Sequence, residues 1–137
     1  MEDKTILVVD DEEMILDTFQ AFLELEGYCV YTANCVANAK TVLSDKVIKL
    51  VLTDLKMPGE NGIEFLTYLN KNHSNIPVVM ITGNPDAKAT YAAYEKGIMD
   101  FLIKPISRKD ITEIANRVFS DLAGGDEDID ELLRGLR

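Results

Sequence analysis

The 137-residue sequence is short of the features that place a chain quickly in several large classes. It has only two cysteines, Cys29 and Cys35, which would lie roughly 20 Å apart with the chain between them fully extended. That is beyond disulfide reach, so both are expected as free thiols in a reducing compartment. Basic residues are few, 14 against 24 acidic, for a formal net charge of −10. This balance argues against direct binding to nucleic acid or to an anionic membrane and favours cationic partners or metal ions. No apolar run approaches the roughly 18 residues of a membrane span, and the acidic start does not resemble a signal peptide; a cytoplasmic location is expected. No GxGxxG or GxxxxGKS/T loop follows the first apolar run, against a flavin or dinucleotide carrier. There is no internal repeat or low-complexity tract. The only histidine, His73, falls in a polar Lys-Asn-His-Ser-Asn stretch that reads as surface loop.

What is present is a regular alternation, with 47% apolar residues, enough for one core in one domain. Short runs rich in Val and Ile recur at 5–9, 28–32, 50–53, 78–82 and 101–103. Their near-continuous hydrophobicity predicts strands of a parallel sheet covered on both faces, and antiparallel hairpins are not expected. Between them the apolar spacing turns helical. Ile15, Phe19, Phe22 and Leu23 form a stripe that stops at Gly27, and Val36, Ala39 and Leu43 give a second. Ile63, Leu66 and Leu69 follow a Met57-Pro58-Gly59 turn. Residues 87–96 carry mainly Ala and Tyr, so this fourth helix should bury little and move most easily. The last stripe is Ile111, Ile114, Ala115, Val118 and Leu122.

Four strands end in polar groups: Asp10 and Asp11, Asp54, Thr82, and Lys104. In an open parallel sheet the crevice beyond the carboxyl ends of the strands is where ligands bind. Asp54, at the end of a short strand, is a candidate nucleophile that could form an acyl phosphate. An incoming phosphate would be repelled by Asp10 and Asp11 unless a cation intervened. Mg2+, a hard ion taking carboxylate, phosphate and water oxygens, fits, with Asp11 and Asp54 as candidate direct ligands. Lys104 offers a point charge and Thr82 a hydroxyl to phosphoryl oxygens. Taken singly, each has an ordinary alternative: a helix cap or loop acid, a surface lysine, a strand-end hydroxyl.

Together, VVDDEE, LTDLKMPGENG, ITG and DFLIKP resemble the receiver domain of bacterial two-component response regulators, over about residues 5–122. The resemblance implies a flavodoxin-like doubly wound (βα)5 α/β fold, with a five-stranded parallel sheet in the order 2-1-3-4-5. It also implies Asp54 as phosphoacceptor for a histidine kinase or phosphotransfer protein. Asp11 and Asp54 would then be Mg2+ ligands, Asp10 a ligand through water, and Lys56 a ligand through its backbone carbonyl. Thr82 and Lys104 would hold the phosphoryl group, and the Lys104-Pro105 peptide bond would be cis. Phe101 stands where many receivers carry an aromatic switch residue; without a hydroxyl it can only pack. Lys56 and Asn84 occupy positions that tune phosphoryl lifetime in the family, and Gly83 leaves space beside the phosphoryl group.

Residues 1–123 read as the receiver, and 124–137 as a Gly124-Gly125 hinge with an acidic amphipathic tail that could be a linker helix to an output domain or downstream partner. Asp126, Asp128 and Asp130 imitate the start of a calcium loop, but Glu131 replaces its glycine and Arg137 its closing glutamate, so that motif fails. Phosphorylation could drive homodimerisation through the last helices. The rival function is a Mg2+-dependent phosphohydrolase with an aspartyl phosphate intermediate. Such enzymes usually carry a second acid two residues after the nucleophile, where this chain has Lys56, and a cap insertion for which it has no room. A degenerate receiver used only as a scaffold fits poorly with intact Asp54, Lys104 and the acid pair.

Overall fold

The computed structural model describes residues 4–57, 59–84 and 86–123, apart from the side chains of Glu60 and of residues 121–123. The expected hinge and tail, Pro58 of the expected turn, and the side chain of Leu122 lie outside the described residues. The chain begins with β1 (Thr5–Val9), α1 (Glu13–Leu25), β2 (Cys29–Ala33), α2 (Val36–Asp45) and β3 (Leu50–Asp54). Two short strands follow, β4 (Lys56–Met57) and β5 (Glu60–Asn61), then α3 (Gly62–Asn72) and β6 (Val78–Thr82). It continues with α4 (Ala87–Glu95), β7 (Asp100–Ile103) and α5 (Arg108–Ala123). The main sheet is parallel throughout, in the order β2-β1-β3-β6-β7. Counting its five strands alone, this is the expected 2-1-3-4-5.

The unbroken apolar strands are explained by what each side chain meets. Every residue of β1, β3 and β6 is buried. Ile6, Val8, Leu50, Leu52, Val79 and Ile81 point into a layer with α1 and α5, through Leu16, Phe19, Leu23, Ile111, Ala115 and Val118. Their neighbours Leu7, Val9, Val51, Val78 and Met80 point into the opposite layer, with Leu43 of α2, Phe65, Leu66 and Leu69 of α3, and Ala93 of α4. Successive strand residues face opposite sides, so here the alternation is between two cores rather than between core and water.

Boundaries differ from the sequence expectation where tertiary pairing decides them. Tyr28 is not in β2, because its amide closes the turn after α1 by donating to the Leu23 carbonyl at 3.2 Å. Its ring instead packs on Phe119. At the other end β3 runs on to Asp54, which lies opposite Ile81 of β6. The expectation of no antiparallel hairpin is corrected by β4 and β5, which pair antiparallel with Lys56 opposite Asn61 and Met57 opposite Glu60. Strands of two residues are too short to show a period, and Gly59, at φ +72°, supplies the left-handed turn between them.

Gly62 fixes the start of α3 against the chain leaving β3. Its amide donates to the Leu55 carbonyl at 2.9 Å, and a methyl group there would press into that carbonyl and stand 2.8 Å from Leu55 Cα. Backbone cannot move aside as a flexible side chain does. Gly62→Ala should therefore lower stability by roughly 1–3 kcal/mol, read as a fall in the urea midpoint at unchanged slope; an unchanged midpoint would contradict so close an approach.

Candidate functional site

The chain leaves β1 to one side for β2 and returns on the other side for β3, so the crevice opens above the carboxyl ends of β1 and β3. Asp10 and Asp11 follow β1 there, and Asp54 ends β3. Thr82 ends β6 beside it, and Lys104 follows β7, tied to β6 by its amide donating to the Thr82 carbonyl at 2.7 Å. The Lys104–Pro105 peptide bond is cis. Oxygen atoms of Asp10, Asp11 and Asp54 lie within 4.8 Å of one another. Asp10, Asp54 and Thr82 are buried, whereas Asp11 is exposed.

Each buried carboxylate divides its two oxygens between the backbone and one cation. Asp10 Oδ1 accepts the Glu12 amide at 2.9 Å, and Oδ2 accepts Lys104 Nζ at 2.8 Å. Asp54 Oδ1 accepts the Lys56 amide at 3.1 Å, and Oδ2 accepts Lys104 Nζ at 3.2 Å. The ordinary reading of a strand-end aspartate as a loop cap is thus half of what Asp10 does. Sequence reasoning did not find the Glu12 and Lys56 amides as partners; the signal was an acid two residues before each, the Asx-turn spacing. Thr82 Oγ1 accepts the Asn84 amide at 3.2 Å, which leaves its own proton to donate elsewhere.

Two unit charges at this separation repel by on the order of 3 kcal/mol at an effective dielectric near 20, and one ammonium serves two buried acids. Burial is the main cause holding the Asp54 carboxyl above its ordinary value. The Lys56 amide and the Lys104 charge pull it down, Asp10 adds to the rise, and the net direction is up. For Lys104 burial acts downward, but the Asp10 hydrogen bond and the charges of Asp54 and Asp10 outweigh it and raise the ammonium pKa. Three carboxylates with oxygen-only ligands suit a hard cation such as Mg2+ in chemistry and charge.

Other named positions fall around this centre. Lys56 is exposed, at the start of β4. A methyl group on Gly83 would meet the Lys104 stem at 3.7 Å, an ordinary contact, so the space there is open to small groups. Phe101 is half-buried against the layer of α2, α3 and α4, its ring centroid 6.5 Å from that of Tyr94 on α4. His73 caps the far end of α3, away from the strand ends that carry the acids.

The sequence profile of the response regulator receiver domain matches residues 6–116. The chain belongs to this receiver family. Similar curated proteins include the alginate biosynthesis transcriptional regulatory protein AlgB of Pseudomonas putida, 39% identical over 102 residues, or 74% of this chain. The receiver spans about a quarter, 23%, of that relative's length. Among solved structures, a CheY-like receiver domain protein from Methanospirillum hungatei superposes with a TM-score of 0.82 at 28% identity, over 89% of this chain and 98% of that one. The beryllofluoride-activated NtrC4 receiver domain dimer gives 0.80 at 31% identity, over 86% and 98%.

The charge arrangement of this receiver predicts stability effects of opposite sign. A carboxyl whose folded pKa is raised stabilises the fold fully below its unfolded pKa and loses that contribution as pH rises through the folded value. Without divalent metal, Asp54→Asn should therefore raise the melting temperature at pH 7, and the gain should vanish near pH 3. Lys104→Met strands two buried carboxylates and should cost roughly 3 kcal/mol at pH 7, much of it recovered in the Asp54→Asn, Lys104→Met double variant. Thermal unfolding of the four proteins at both pH values checks this; additive single effects would contradict it.

Proposed function

We propose that this receiver accepts a phosphoryl group on Asp54 from the phosphohistidine of a separate sensor kinase or phosphotransfer protein, with Mg2+, and passes the change to a downstream protein or output domain. The observation that carries the reading is the bridge from half-buried Lys104 to the buried Asp10 and Asp54 at the strand ends. An Asp54 oxygen attacks phosphorus, the phosphorus–nitrogen bond to the donor imidazole breaks, and an acyl phosphate remains. The side chains of Asp10, Asp11 and Asp54 and the backbone carbonyl of Lys56 would hold Mg2+. When bound, it supplies the positive charge that lets an anionic phosphoryl group approach two buried acids. Lys104 and the Thr82 hydroxyl then take phosphoryl oxygens, work of positioning and electrostatics rather than proton transfer.

The added charge would draw Thr82 and Lys104 inward, and the element least able to resist is α4, in which Ala93 is the sole buried residue. Phe101, which links β7 to Tyr94, would follow by packing alone. Tyr91, Tyr94, Met99 and Ile103 are exposed on α4, its following loop and β7, an apolar face whose shape such a shift would alter. That face, together with the activated dimer known for the NtrC4 receiver, supports a phosphorylation-dependent homodimer. Among the described residues no helix is long and apolar enough to cross a membrane.

The chain would act as a switch, catalysing only its own phosphorylation and dephosphorylation. The phosphohydrolase alternative lacks its second acid, since exposed Lys56 stands in that place. Incubation with acetyl phosphate and Mg2+ should add one phosphoryl group per chain by mass spectrometry and none to Asp54→Asn. Amide exchange in residues 87–95 should quicken alongside. Steady release of phosphate from many organic phosphates, or equal labelling of the Asp54→Asn chain, would contradict the switch.

A further inference from the structure

At the end of the sheet opposite Asp54, the N-terminal strand ends and the ends of α2, α3 and α5 surround a groove of about 840 Å3. Its lining joins two chemistries. Lys4, Lys46 and Lys49 supply cations, while Val47, Ile76 and Phe119 supply apolar surface, with Val47 71% exposed. Three lysines around one groove run against the net charge of −10. None of the three ammonium groups is paired with a carboxylate among the described residues. Lys4 and Lys46 rest instead over the Tyr28 and Tyr31 rings, at 6.0 and 5.6 Å. A cationic, partly apolar groove with no carboxylate among its described lining residues calls for an acidic amphipathic segment.

We propose that this segment is the chain's own residues 126–136, docked in the groove. They carry Asp126, Glu127, Asp128, Asp130 and Glu131, followed by Leu132, Leu133 and Leu136. The connection is short. Phe119 lines the groove, and α5 reaches Ala123 only one turn later, about 6 Å along the helix axis. Gly124 and Gly125 can reverse the chain, and each further residue spans up to about 3.5 Å, so the first carboxylates arrive within reach of the lysines. The acids pair with the lysine rim, and the leucines cover Val47 and Ile76. The tail so held lies along the base of the domain and lets go when another acidic or basic partner competes for either side. This docking is independent of the phosphoacceptor reading, because the groove and Asp54 occupy opposite ends of the sheet.

Paramagnetic broadening in the full chain tests it, with a nitroxide on Gly135→Cys in a Cys29→Ser, Cys35→Ser background. Amide signals of residues 46–49 and 73–76 should broaden, in a manner independent of protein concentration. The broadening should fall several-fold in Lys4→Glu, Lys46→Glu, Lys49→Glu and return when Asp126, Asp128 and Asp130 are changed to Lys in that chain. Raising the salt in the chain with its native lysines should weaken it as well, a readout that survives if the charge-reversed variant folds poorly. No broadening at those amides, broadening indifferent to both charge reversal and salt, or broadening seen only between labelled and unlabelled copies would overturn the proposal.

Discussion

Among the described residues, Lys104 is the one ammonium that reaches both buried carboxylates, at 2.8 Å from Asp10 and 3.2 Å from Asp54. The rest of the site depends on that bridge. Without it, two buried acids separated by a few ångströms would take up protons or open the strand ends to water, since an uncompensated buried charge costs several kcal/mol. With it, the site still carries two uncompensated negative charges, because Asp11 at the rim makes three acids against one ammonium. Such a centre suits a hard divalent cation, and in the proposed switch the bridging lysine would change partners once a phosphoryl group arrived. The same deficit of charge that weakens the resting fold would, in the proposed switch, make the site responsive.

The bridge is possible only because of the winding of the sheet. Asp10 and Asp54 come from adjacent strands whose onward connections leave in opposite directions, and Lys104 comes from the edge strand two places away. The two acids approach from β1 and β3, both clamped between two apolar layers, so they are held by a rigid frame. The opposite is true of α4. Its exposed tyrosines and single buried alanine leave it weakly held beside Phe101 and β7. A rigid charge centre next to a lightly packed helix is a reasonable physical basis for converting local electrostatics into a change of surface.

Much of this was legible in the residues. The strands could be read because β1, β3 and β6 are buried on both faces and so keep their polar residues, Thr5, Thr53, Asp54 and Thr82, to the strand ends, leaving an unbroken apolar run between. The polar groups at four strand ends could be read because each end closes an apolar run. Less visible was anything decided by backbone pairing. Tyr28 looks like a strand residue until its amide is seen closing the turn after α1, and the β4–β5 hairpin has too few residues to show a period. That Asp10 and Asp54 each give one oxygen to an amide two residues on is a local geometry with a weak sequence signal. The clustering of Lys4 with Lys46 and Lys49 had none, since Lys4 is far from the other two in the chain and meets them only at the base of the fold.

The central claim is that Lys104 restrains a carboxyl which burial alone would push well upward. Following the side-chain carboxyl carbon of Asp54 by NMR through an acid titration, without divalent metal, measures this directly in the native chain and in Lys104→Met. The account predicts a midpoint above the ordinary 3.8 in the native chain, and a higher one still when the ammonium is removed. A midpoint at or below 3.8, or one that Lys104→Met leaves in place, would contradict it.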